Sequence, residues 1–147
     1  MQIHESAEDY LETILILKNR QNQVRSIDIV HELSFTKPSV SVAMKKLREN
    51  GYIEMDSDGY ITLLEKGRKI AEKIYERHTF LTDWIRSMGI DEKTAAEDAC
   101  RIEHVISADT FSALKKYVKE KSQPYGLTTG SAGGLDEPLR GIFRYRL

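Results

Sequence analysis

The chain has 147 residues, which suits one compact domain or two small ones, and its 40% hydrophobic content is enough to fill a core. No uninterrupted apolar run reaches the roughly 20 residues of a membrane helix, and the N-terminus lacks a signal-peptide pattern, so a cytoplasmic protein without a membrane partner is expected. Its single cysteine, Cys100, excludes an internal disulfide framework, and its net charge of −1 requires any nucleic-acid partner to be met by locally concentrated positive charge.

Such a concentration exists. Lys37, Lys45, Lys46, Arg48, Lys66, Arg68, Lys69 and Lys73 crowd one stretch, whereas acids gather at Glu5–Glu12 and Asp91–Asp98. Segregation of this kind also arises from ordinary solvated faces.

In chain order, the first predicted helix runs from Ala7 to Arg20. Ser6 is its expected N-cap, with Asp9 three residues on, and Tyr10, Leu11, Ile14, Leu15 and Leu17 form its apolar side. A polar break at Gln21–Arg25 leads to a short helix after Ser26, with Ile27, Val30 and Leu33 as inward positions. Ser34–Thr36 has the length of a turn joining two crossed helices. The third helix opens with Lys37–Pro38, where the missing N–H of proline costs nothing. Val40, Ala43, Met44 and Leu47 repeat at helical spacing and face inward. The other face is small, hydroxylated and basic. Asn50–Gly51 stops the helix.

Tyr52–Met55 and Tyr60–Leu63 flank the turn Asp56–Gly59, a β-hairpin pattern. Thr62 and Glu65 match a capping box for a long helix reaching Ser87, with Ile70, Ile74, His78, Leu81 and Ile85 on one face. Asp91 starts a further helix to about Ile106, and Ser107–Asp109 restarts a last one to about Lys121. From Ser122 onward, Pro124, Gly126, Gly130, Gly133, Gly134 and Pro138 predict an irregular tail.

Three helices, a hairpin and a long following helix form the winged helix-turn-helix plan, in which the third helix enters the major groove and the hairpin lies against the backbone. The candidate DNA-binding residues are Ser26, Thr36, Lys37, Pro38, Ser39, Ser41, Val42, Lys45 and Arg48. Lys45 and Arg48 suit phosphates; Ser39, Ser41 and Val42 suit base edges. Two features stand against this reading. Domains of this build also mediate protein contacts, and Asp56 and Asp58 at the hairpin tip would repel phosphate.

The second half holds Cys100-x-x-Glu103-His104. On a helix these positions share one face, so a thiolate, a carboxylate and an imidazole converge, all ligand types for a borderline divalent metal. Asp9-x-x-Glu12 repeats the geometry with two carboxylates, and His78 sits on an otherwise apolar stripe. Each has a plainer reading: a capping acid, a solvated acid, a core histidine, and a cysteine acting as a small hydrophobe. Spacing alone leaves both open.

The stretch Glu97-Asp-Ala-Cys-Arg-Ile-Glu-His-Val-Ile-Ser107 resembles the metal-binding helix of the diphtheria-toxin-repressor family of iron- and manganese-dependent repressors. The similarity extends through Glu8-Asp-Tyr-Leu-Glu12, Lys37-Pro-Ser-Val-Ser41 and Tyr75-Glu-Arg-His78, and covers residues 5 to about 120. It implies metal ligands at Asp9, Glu12, His78, Cys100, Glu103 and His104. An acid at position 9 followed by Glu12 is similar to the manganese-sensing branch, whereas a cysteine at position 100 is similar to the iron-sensing branch. Thr82 and Ala96 stand where iron-type members place ancillary ligands, and neither is a convincing one. The chain ends before the SH3-like domain that many iron-type members add, although Ser122–Glu137 resembles the linker leading to it.

The expected fold is therefore mainly α: a winged helix-turn-helix domain over residues 1–71, a helical dimerisation and metal-binding domain over 72–121, and a tail over 122–147. The implied protein is a repressor, not an enzyme, that senses Fe(II) or Mn(II) and controls metal uptake. Zn, Co or Ni would be able to occupy its site in vitro. A homodimer would read a near-palindromic operator on double-stranded DNA, joined through Phe80, Leu81, Trp84, Ile85, Phe111 and Leu114. Rival readings are a metal-independent winged-helix regulator that responds to a small molecule, a metallohydrolase (for which no nucleophile motif or catalytic base is evident), and a thiol redox switch at Cys100.

Overall fold

Hydrophobic periodicity yields six helices and one hairpin in the computed structural model, which describes residues 4–122. They are α1 (Glu5–Gln21), α2 (Ser26–Leu33), α3 (Lys37–Glu49), β1 (Ile53–Met55), β2 (Ile61–Leu63), α4 (Glu65–Ser87), α5 (Glu92–Ile102) and α6 (Ala108–Ser122). The described residues divide into two units, the first ending at Glu76 and the second beginning at Arg77. The expected irregular tail lies outside the described residues.

In the first unit, α1 starts earlier than its capping pattern predicts. The His4 carbonyl accepts from the amides of Ala7 (2.9 Å) and Glu8 (3.1 Å), so Ser6 lies inside the helix and is not its cap. Glu5 and Glu8 occupy the first turn, where the helix dipole favours negative charge. Along α2 the inward positions are Ile29 and Leu33. Ile27, expected inside, is 38% exposed. With only eight residues, α2 makes about two turns, too few for periodicity to choose between Ile27 and Ile29. A two-bond ion pair from Arg20 to Glu32 (3.0 and 3.1 Å) ties the end of α1 to α2.

Thr36 caps α3 by accepting from the Ser39 amide at 3.3 Å, and Pro38 lies in the first turn. Val40, Met44 and Leu47 are buried as their spacing predicts. The antiparallel hairpin pairs Ile53 with Leu63, Glu54 with Thr62 and Met55 with Ile61. Thr62 is thus a strand residue, which overturns its expected role as a helix cap. The first turn of α4 forms on the Leu64 carbonyl, which accepts from the Arg68 amide at 2.8 Å. At the hairpin tip, Asp56 Oδ1 accepts from the amides of Asp58 and Tyr60, each at 2.9 Å, so this acid builds the turn.

The second unit packs Leu81, Ile85, Ala95, Ala99 and Phe111 into its own core, with Phe80, Trp84, Ile102, Ile106 and Leu114 partly buried against it. Leu81, Ile85 and Phe111 are therefore core residues and not spare surface for a partner. Asp91 caps α5 by accepting from the Thr94 amide at 3.1 Å. That helix ends at Ile102, short of the expected Ile106. The Ile102 carbonyl accepts from both Val105 and Ile106, which tightens the last turn, and Ser107 Oγ then accepts from the Thr110 amide at 3.1 Å to start α6.

Gly67 carries the tightest constraint on the first unit. A Cβ there would collide with the Tyr52 carbonyl oxygen and lie 3.0 Å from its carbon and 3.3 Å from Leu11 Cδ2. Backbone cannot yield as a side chain does, so Gly67→Ala should destabilise the protein by about 3 kcal/mol. Urea unfolding of the two proteins checks this; equal midpoints would show that the contact yields freely.

Candidate metal centre and DNA-reading face

The expected reading face is an exposed surface of α3. Lys37, Pro38, Ser39, Ser41, Val42, Lys45 and Arg48 are all exposed, as is the capping Thr36, whereas Ser26 at the start of α2 is half-buried. Two hydroxyls are engaged locally, since Thr36 Oγ1 donates to Ser39 Oγ at 2.8 Å. Lys45 lies 3.9 Å from the Glu49 carboxylate, both side chains exposed, a contact of little energetic weight. Val42 is 54% exposed, a solvated apolar group in the middle of the face.

The buried chemistry sits in the second unit. His78 comes from α4, Cys100 from the last turn of α5, and Glu103 and His104 from the turn that follows. His78 Nδ1 lies 2.7 Å from Glu103 Oε2 and 3.6 Å from Cys100 Sγ. One nitrogen, one sulfur and one oxygen donor of His78, Cys100 and Glu103 all fall within 4.8 Å of one another, and all three residues are buried. On the opposite side of the carboxylate, Glu103 Oε1 is 3.3 Å from His104 Nε2, whose side chain is only 2% exposed. Glu103 therefore offers one oxygen to each imidazole. Glu103 closes α5 as its C-cap, with helical backbone angles and its amide on the Ala99 carbonyl at 2.9 Å, so it shares a face with Cys100, and His104 follows in the turn beyond.

Burial alone would push the Glu103 carboxyl up. Hydrogen bonds from His104 and His78, with the charge of both rings, outweigh that and bring it below the ordinary value of 4.5. Thr82 Oγ1 lies 3.5 Å from His78 Nε2, at the far nitrogen of the ring. Arg77 donates from Nη1 to the carbonyls of Glu103 (3.0 Å) and Ile106 (2.7 Å). Sequence reasoning did not single it out, because nothing local marks a contact across 26 to 29 residues. The remaining two expected ligands, Asp9 and Glu12, belong to the first unit, on the buried face of α1. Buried acids on a face otherwise made of Tyr10, Leu11, Ile14 and Leu17 are uncommon without partners. Burial pushes the neighbouring Tyr10 phenol up, and the Asp9 charge adds to it. The donor set of nitrogen, sulfur and oxygen fits a borderline divalent ion.

A winged helix-turn-helix unit with a basic reading face, followed by a helical unit holding a buried nitrogen, sulfur and oxygen donor set, defines a metal-responsive DNA-binding protein. The chain belongs to the iron-dependent repressor family: residues 2–61 match its N-terminal DNA-binding domain and residues 64–128 its metal binding and dimerisation domain. It is a metal-dependent DNA-binding transcriptional repressor of that family. A helix-turn-helix regulator from Methanocaldococcus jannaschii is 35% identical over 118 residues, 79% of this chain and 94% of its own. The regulator MntR of Geobacillus kaustophilus is 33% identical over 118 residues, covering 78% of this chain and 84% of its own. Among solved structures, the manganese regulator SloR superposes with a TM-score of 0.68 at 25% identity, over 81% of this chain and 55% of that one. IdeR of T. acidophilum also gives 0.68, at 23% identity and the same coverage, a likeness of fold. The chain thus spans about half the length of these two proteins.

The lowered Glu103 value makes a pH prediction. Its ionised form contributes stability that is present above the unfolded value and lost as the pH falls through the lower folded value. The melting midpoint of the metal-free protein should therefore exceed that of Glu103→Gln at neutral pH, and the gap should close as the pH drops below about 4.5. A gap that widens on acidification would contradict an ionised Glu103.

Proposed function

We propose that this repressor senses Fe(II) or Mn(II) through His78, Cys100, Glu103 and His104, with Asp9 and Glu12 joining the ligand set as the family resemblance implies. The observation that carries this reading is the buried cluster of His78, Cys100 and Glu103 donors within 4.8 Å. When bound, a divalent ion supplies the positive charge that stabilises the Cys100 thiolate and the acidic ligands. His78 presents Nδ1, Glu103 spans the two imidazoles, and burial keeps competing water away. A thiolate moves preference from Mn(II) toward Fe(II), Co(II), Ni(II) or Zn(II), while the carboxylates keep Mn(II) in range.

Metal and operator each raise the affinity for the other, by ~1–3 kcal/mol in typical linked systems. Lys45 and Arg48 hold phosphates, and Ser39, Ser41 and Val42 face bases, Val42 offering methyls suited to a thymine methyl. We further propose a cytoplasmic homodimer, a regulator rather than an enzyme, in which the half-buried Phe80, Trp84 and Leu114 meet a second copy. Its two recognition helices then suit a near-palindromic operator, in keeping with control of metal uptake.

The decisive experiment titrates a fragment of the upstream DNA with protein in Mn(II), anaerobic Fe(II), Zn(II) or chelator. A metal-dependent gain of about 5–150-fold is expected, and Cys100→Ala or Asp9→Ala should remove most of it. Tight binding indifferent to chelator would leave a metal-independent regulator. Separately, Lys45→Ala should weaken all sequences alike and lower the salt slope by about one phosphate contact; an unchanged slope would remove Lys45 from the interface.

A further inference from the structure

We propose that Arg77 is a positioning residue for the metal centre, holding the turn that carries Glu103 and His104 in register with its own neighbour His78; the inference rests on the metal-binding reading above. Arg77 is 5% exposed, an unusual place for a guanidinium. Its Nη1 carries two hydrogens, and they go to the Glu103 and Ile106 carbonyls at 3.0 and 2.7 Å. These carbonyls lie past the end of α5, where no following helical turn supplies amides and the dipole leaves negative charge. The Arg77 group also lies over the Phe111 ring, 5.5 Å from its centroid, which anchors it to α6.

The consequence is geometric. Residue 78 supplies a ring nitrogen to the cluster and residue 103 supplies a carboxylate, and residue 77 binds the backbone of residue 103 directly. One side chain thus sets the distance between ligands from α4 and from the post-α5 turn. Arg77 adds two bonds from another helix to a turn whose local backbone bonds are those of the Glu103 amide to the Ala99 carbonyl and of the Val105 and Ile106 amides to the Ile102 carbonyl. Looser ligands must be ordered when the ion binds, and affinity falls by that entropy. Lysine can reach one such carbonyl but lacks the rigid planar fork, so it should restore only part of the effect.

The test uses the full chain and Co(II) as the probe, read by competition with a chromophoric chelator and by the thiolate-to-cobalt absorption that Cys100→Ser should abolish. Arg77→Lys is expected to weaken Co(II) about tenfold, and Arg77→Met about a hundredfold, with metal-free helix content retained and the cobalt bands shifted or broadened. In case both variants misfold, Val105→Gly loosens the same turn from outside, at a residue 79% exposed, and should weaken Co(II) several-fold without touching the core. Wild-type affinity in folded Arg77→Met, or in Val105→Gly if the Arg77 variants misfold, would overturn the inference while leaving the metal site intact. Failure of the wild-type chain to bind Co(II) with a thiolate band would remove the metal-binding reading and this inference together.

Discussion

A carboxylate that is fully buried has to be met by positive charge or hydrogen-bond donors, and the second unit is organised around meeting that need at Glu103. An isolated ionised acid taken out of water costs far more than a folded domain can spare. Two imidazoles flank this one, at 2.7 Å and 3.3 Å, and together they overcome the upward push of burial on its protonation. A structural ion pair would need only one of them. The approach of Cys100 to within 3.6 Å of the same ring adds a soft donor that an ion pair does not require and a borderline divalent ion can use.

The end of α5 lies beside that carboxylate. This helix ends at Ile102, and a buried guanidinium takes up the Glu103 and Ile106 carbonyls beyond it. The core of the unit is formed by Leu81, Ile85, Ala95, Ala99 and Phe111. Small alanines on α5 let that helix approach α4 closely, which brings Cys100 against His78.

In the first unit the division of labour is local. Val40, Met44 and Leu47 bury one side of α3, and Thr36 closes its N-terminus, so basic and small residues are left on an exposed face with no packing duty. Of the two hairpin acids that argued against DNA binding, Asp56 has a structural role, accepting from turn amides. Close backbone contact at Gly67 joins the start of α4 to the segment before β1, a tolerance that only a residue without a side chain provides.

What the sequence determined by itself was the set and order of elements, because helical and strand periods repeat over many residues and a cap such as Asp91 acts within three. The family was equally legible, since it rests on short motifs, and so were the residue types that the buried cluster brings together. Tertiary structure decided the rest. It chose Ile29 over Ile27 for the inside of a two-turn helix, and it used Thr62 in a strand in place of a cap. It also turned Leu81, Ile85 and Phe111 into core. Above all it set Arg77 against a turn 26 residues away, a contact between groups on different helices that no local pattern encodes.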